Sequence, residues 1–236
     1  FTHVYFPPDG NSTLAVLKKC LNSQNGINAI VAGKTQEPRW LTPELAEKEL
    51  ERGLMIWNFA SDENPDIVIA AAGDYLTKEA LAAISIAKKE APEIKLRFVN
   101  VLELCEMGIG NTDCHAPYHD FNDYFTPNKP VIFNFHGYPE TLKQILFDEK
   151  GCADRFSIHG YIENGSTTTP FDMQVRNKTS RWHLALEIFE TARKINKISK
   201  EKAENLINKY TNKFLEHNSY IRKNGVDLPE IENWHW

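Results

Sequence analysis

The stretch Ile67-Val-Ile-Ala-Ala-Ala-Gly-Asp-Tyr-Leu-Thr-Lys-Glu-Ala-Leu-Ala-Ala-Ile84 decides the fold. Residues 67–71 are apolar without alternation, as in a strand covered on both faces. Gly73 opens a strand-to-helix turn. Thr77 is placed to cap a helix reaching Ala91, with Leu76 and Leu81 as a hydrophobic staple. Ala80, Ile84, Ala87 and Ala91 form its apolar stripe. A second apolar run, Leu96-Arg-Phe-Val-Asn-Val-Leu102, follows. A strand, a crossover helix and a strand in this order are the unit of a parallel sheet.

Working outward, residues 27–32, 131–135 and 156–161 repeat the short apolar run. Thr42-Pro43-Glu44 supplies a helix N-cap, a proline at the first helical position and an acid near the positive end of the dipole. Gly53 supplies its stop. Past the last strand only helical spacing remains. Trp182, Ala185, Leu186, Phe189 and Ala192 form one stripe. Ala203, Leu206, Ile207, Tyr210, Phe214 and Ile221, after Ser199, form another. The pattern predicts a three-layer α/β sandwich around a mainly parallel sheet of about five strands, completed by C-terminal helices. No repeat or sharp change of composition divides the chain. It reads as one domain over 1–236, with an α/β core at 1–178 and a helical extension at 179–236 packed on it.

The 236 residues suffice for a sizeable core. A net charge of −5 gives no long-range attraction to nucleic acid or acidic lipid, so neither is expected as a partner. No apolar run approaches the ~20 residues of a membrane span. The four cysteines are irregularly spaced, as in a reduced cytosolic protein. The chain starts Phe1-Thr-His-Val-Tyr without an initiator methionine. It reads as a processed product or a piece of a longer polypeptide.

Gly33-Lys34-Thr35 fails as a P-loop, because Asn28 stands where the first glycine belongs and residues 27–32 read as strand. Lys34 nevertheless follows the carboxyl end of that strand, where open α/β sheets place ligands. Its ammonium can pair with a phosphate. Gly73-Asp-Tyr-Leu and Gly108-Ile-Gly110 lack the glycines or the context of a dinucleotide site. Asp74 would repel an anion at the helix start. Cys105, Cys114, His115 and His119 lack the paired spacing of structural zinc, and no metal site is expected. The surrounding segment, Asn111 to Asn128, reads as a surface loop. Cys152 reads as part of a polar turn. His136 and His159 each end a strand, a position compatible with catalysis.

Several blocks occur in one order: Phe1-Thr-His-Val-Tyr-Phe-Pro-Pro-Asp9, Ile30-Val-Ala-Gly-Lys34, Lys129-Pro-Val-Ile-Phe-Asn-Phe-His-Gly-Tyr-Pro139, and the glycine- and threonine-rich loop between Ile158 and Met173. With the tail Trp234-His-Trp236, they make nearly the whole chain resemble the C-terminal domain of phosphoketolases. The resemblance implies a transketolase C-terminal-domain-like fold. It also implies a lyase of carbohydrate and pentose phosphate metabolism that turns xylulose 5-phosphate or fructose 6-phosphate, with inorganic phosphate, into acetyl phosphate, an aldose phosphate and water. Thiamine diphosphate and magnesium would lie in upstream domains of a cytoplasmic homodimer, with none in this one. This domain would support the dimer and the active-site entrance and be inactive alone. Lys34 matches the position the family directs at the substrate's phosphate; no catalytic residue is implied here. Tyr161 and Phe171 would be partly exposed where the upstream domains pack. Two rivals are a free-standing α/β module binding a phosphorylated small molecule and a purely structural dimerisation domain.

Overall fold

The computed structural model describes residues 2–34, 38–107, 121–147, 151–162, 165 and 167–236. A first unit is formed by β1 (Thr2–Tyr5), α1 (Gly10–Asn22) and β2 (Ile27–Ile30). The two strands pair in parallel, Thr2 with Ile27 through Tyr5 with Ile30. Asp9 caps α1 by accepting from the Ser12 N–H at 2.8 Å. Its other oxygen accepts from the Trp40 and Leu41 N–H groups at 2.7 and 2.9 Å, tying the next segment to this cap.

The Thr42-Pro43 signal produces α2 (Pro43–Arg52), and Gly53 ends it at φ 76°, the left-handed conformation glycine adopts without strain. The chain turns directly into β3 (Leu54–Ile56). Then follow β4 (Ile67–Ala72), α3 (Asp74–Glu90), β5 (Leu96–Val101), α4 (Phe121–Phe125), β6 (Val131–Phe135), α5 (Pro139–Leu146), α6 (Cys152–Arg155) and β7 (Phe156–Gly160). Four helices close the order: α7 (Pro170–Arg176), α8 (Arg181–Lys194), α9 (Lys200–Asn224) and α10 (Pro229–Glu232).

The main sheet runs β3-β5-β4-β6-β7, with β3 antiparallel and the rest parallel. All six residues of β4 are buried. Ile67, Ile69 and Ala71 face α3, α8 and α9, and Val68, Ala70 and Ala72 face α4, α5 and α6. Both faces of the strand are covered, which is why its sequence does not alternate. The three-layer α/β architecture is therefore as the sequence predicts. Among the described residues, no helix is long and apolar enough to cross a membrane.

Five expectations are corrected. The run at 27–32 lies outside the main sheet, whose fifth strand is instead the three-residue β3. The helix capped by Gly73 begins at Asp74, not Thr77. Thr77 is buried inside it and donates to Asn100 Oδ1 at 3.2 Å. Within the expected loop at 111–128, Phe121–Phe125 is a helix with Phe121, Tyr124 and Phe125 in the core. Cys152 is buried rather than set in a polar turn. Phe171 is fully buried, wedged edge-on against Trp182 and His217, so it offers no exposed surface.

Candidate functional site

The turns after β2, β4, β6 and β7 gather at the carboxyl edge of the strands. The turn after β2 carries Gly33 and the exposed Lys34. The turn after β4 carries Asp74 at the start of α3, 7% exposed. The Gly33 N–H donates to Asp74 Oδ2, and the Tyr75 N–H donates to Oδ1 at 2.7 Å. His136, just past β6, places Nδ1 3.5 Å from Asp74 Oδ1, an ion-pair distance beyond a good hydrogen bond. The Tyr161 ring meets the His136 ring edge-on at 5.9 Å.

Glycine makes this convergence possible. Gly73 sits at φ 104° and ψ 153°, a region essentially confined to glycine. A Cβ there would lie 2.4 Å from His136 Cβ. A Cβ on Gly33 would lie 2.7 Å from Asp74 Oδ2. Gly73→Ala is expected to cost about 1–3 kcal/mol in backbone strain alone and to push His136 away from Asp74. Chemical denaturation checks this, and an unaltered midpoint would mean the turn relaxes freely.

Burial works to raise the Asp74 carboxyl. His136 and the N–H groups of Tyr75 and Gly33 outweigh it and hold the acid below its usual range. Asp74 is therefore ionised at neutral pH, but its charge is directed at these partners, which lessens the repulsion of an anion expected from the sequence. Lys34 follows Gly33 directly and is exposed, one residue on from the N–H group that Asp74 accepts. The arrangement suits a phosphorylated ligand, with a cation for the phosphate and an imidazole held by a buried acid.

His159 is not part of it. It turns toward α8 and pairs with Glu187. Beside it, burial first, then the positive charges of His159 and Lys178, push His183 down to about 4. His183 is thus a neutral packing group that meets the Phe214 ring at a tilt of 47° and accepts or donates at Ser180 Oγ, 2.8 Å away. Cys114, His115, His119 and the Gly108–Gly110 pair lie outside the described residues. Among the described residues, no three His, Cys, Asp or Glu side chains are grouped to hold a metal ion. The Asp74–His136 pairing was not foreseen. Its signal is that both residues lie within two positions of the ends of strands that prove to be neighbours.

Residues 34–236 match the family model described as XFP C-terminal domain. The chain is 43% identical over 237 residues to a probable phosphoketolase of Brucella abortus, covering 99% of this chain and 29% of that protein. A probable phosphoketolase of Clostridium acetobutylicum is 41% identical, with 98% and 29% covered. The chain thus spans about 29% of the length of these relatives. A transketolase variant from Pichia stipitis superposes with a TM-score of 0.59 at 15% identity, over 80% of this chain and 25% of that one. A split-gene transketolase, in the form of an inactive tetramer, gives 0.57 at 16% identity, over 80% and 57%. The structural likeness establishes a transketolase C-terminal-like fold. The sequence matches go further: this chain belongs to the XFP C-terminal domain family.

Proposed function

We propose that the chain is the C-terminal part of a thiamine-diphosphate-dependent phosphoketolase, where it binds the phosphate of the sugar substrate and supports the active-site entrance. The observation that carries the reading is Lys34, exposed at the carboxyl edge of the strands beside the Asp74–His136 pair. The whole enzyme would convert xylulose 5-phosphate or fructose 6-phosphate and inorganic phosphate to acetyl phosphate, an aldose phosphate and water. Residues 1–178 and 179–236 act as one unit in this reading, within a cytoplasmic homodimer.

The cofactor supplies the electron sink for the carbanion, chemistry no side chain provides. This reading places thiamine diphosphate and its magnesium in upstream domains and assigns no residue of this chain to either. Its own contribution is electrostatic positioning. Lys34 orients the phosphate end of the substrate, and Asp74 holds His136 at the same rim.

One charge-assisted hydrogen bond to phosphate contributes about 1.5–3 kcal/mol. Lys34→Ala in the full-length enzyme is therefore expected to raise the KM for the sugar phosphate ~10- to 100-fold, with a smaller change in kcat. Steady-state kinetics of acetyl phosphate formation test this. Unchanged KM values for sugar phosphate and for inorganic phosphate would remove Lys34 from the site. Ketose phosphate turnover by the 236 residues alone would sink the division of labour.

A further inference from the structure

The end of β2 has little packing to hold it. No residue of the strand is buried, and Ala32, Gly33 and Lys34 beyond it are exposed. A two-stranded sheet is marginal by itself. The Val31 N–H still donates to the Tyr5 carbonyl at 2.9 Å, which extends the β1–β2 pairing by one residue. Two positions later the Gly33 N–H donates to Asp74 Oδ2, and the two-stranded unit is tied to the first residue of α3.

The two oxygens of Asp74 serve different parts of the chain. Oδ1 accepts from the Tyr75 N–H at 2.7 Å, at the start of its own helix, and faces His136 Nδ1 at 3.5 Å. Oδ2 reaches a residue 41 positions earlier. Asp74 is buried, so little water competes for the bond. The approach is close enough that a Cβ on Gly33 would stand 2.7 Å from Oδ2, and only glycine leaves room for it. The start of α3 has no use for this second bond. Its effect falls on the residue that Gly33 precedes.

We propose that Asp74 is a positioning residue: through the Gly33 N–H it fixes the backbone from which Lys34 reaches the substrate phosphate. The proposal rests on the reading above that Lys34 binds that phosphate, and it names how that site is held. A lysine loses rotamer freedom when it engages a ligand, and ordering its backbone beforehand removes a further entropic penalty from binding. The bond also explains an acid beside a site for an anion, because the carboxylate is directed at main-chain donors.

Asp74→Asn in the full-length enzyme separates this role from holding the start of α3. The amide keeps an oxygen for the Tyr75 N–H but sets its NH2 against the Gly33 N–H, donor facing donor. The expected result is a KM for the sugar phosphate raised ~3- to 10-fold, with kcat changed less than ~2-fold. The sign is informative. Deleting a negative charge would by itself favour an anion and lower KM. On a Lys34→Ala background the same substitution should leave KM where Lys34→Ala alone puts it. Gly33→Ala, which presses a methyl group onto Oδ2 and leaves Asp74 intact, should raise KM in the same way, and thermal unfolding confirms that each variant is folded. Wild-type KM in both Asp74→Asn and Gly33→Ala, or a rise equally large with and without Lys34, would overturn the proposal. If Lys34→Ala raises KM and neither neighbour does, the positioning role alone is rejected. If Lys34→Ala itself leaves KM unchanged, the phosphate-binding reading fails and the positioning role fails with it.

Discussion

Arg181→Met destabilises the domain by about 3–5 kcal/mol, because it leaves the Glu79 carboxylate buried without its cation. Glu79 on α3 is fully buried and Arg181, the first residue of α8, is 3% exposed. The pair is bidentate, with Arg181 Nε donating to Oε2 at 3.0 Å and Nη2 to Oε1 at 2.6 Å. The Arg181 N–H adds a third bond to Oε2 at 2.7 Å, so the carboxylate also caps the start of α8. The guanidinium further lies over the rings of Phe171 and Trp234, at 5.5 and 5.2 Å from their centroids. A pair so well satisfied fixes the start of α8 against α3. Its net contribution relative to apolar side chains is far smaller than the loss from breaking it, since both ions are desolvated on folding. The double variant Glu79→Leu/Arg181→Met should therefore recover most of the stability lost in Arg181→Met. Urea unfolding of the three proteins decides the matter. Equal midpoints for the single and double variants would show that lost packing, not the stranded charge, dominates.

Arg181 also marks the boundary of what the sequence discloses. The strands of the parallel core were legible because Ile67–Ala72 is apolar on both faces and Val131–Phe135 is so except at Asn134, a pattern set by local composition. The α2 termini were legible because Thr42, Pro43 and Gly53 act within a few residues of themselves. Pairing across the chain was not. Glu79 and Arg181 are 102 positions apart, and nothing local shows that either is buried. β3 escaped because three residues after a helix stop are too few for a period, and it becomes a strand only by pairing with β5. Thr77 looked like a cap because its demand for a partner was visible, whereas the partner, Asn100, lies on β5. At the site, Lys34 could be placed at a strand end from sequence alone. Asp74 and His136 come together only through the adjacency of β4 and β6, which spacing along the chain does not encode.

A second long-range cluster predicts an unusual dependence of stability on pH. Glu49 on α2 is fully buried, with Oε1 accepting from Trp57 Nε1 at 2.9 Å and from Asn100 Nδ2 at 3.1 Å. Its Oε2 has no hydrogen-bond partner among the described residues. Burial pushes the carboxyl up, the bonds from Trp57 and Asn100 pull it down, and the charge of Asp9 adds to the rise, leaving it at about 8. The folded protein thus keeps a proton that the unfolded chain releases near 4.5. The stabilisation from this group is complete below that value and is lost as pH rises through about 8. Wild-type stability should fall by about 1.4 kcal/mol per pH unit in this window, or roughly 2 kcal/mol between about pH 6.5 and 8. The depressed acids Asp74, Asp172 and Glu187 do not interfere, because their contributions change only below the ordinary carboxylate range. His183, neutral when folded, favours folding increasingly up to its ordinary value near 6.5 and is silent above it. Glu49→Gln removes the titrating group while keeping an acceptor for Trp57 and Asn100. Its unfolding midpoint should therefore be flat from about pH 6.5 to 8, overtaking the wild type at the alkaline end. A wild-type midpoint that holds constant or rises over that interval would mean that Glu49 is ionised in the folded protein, with water or a rearranged neighbour satisfying Oε2.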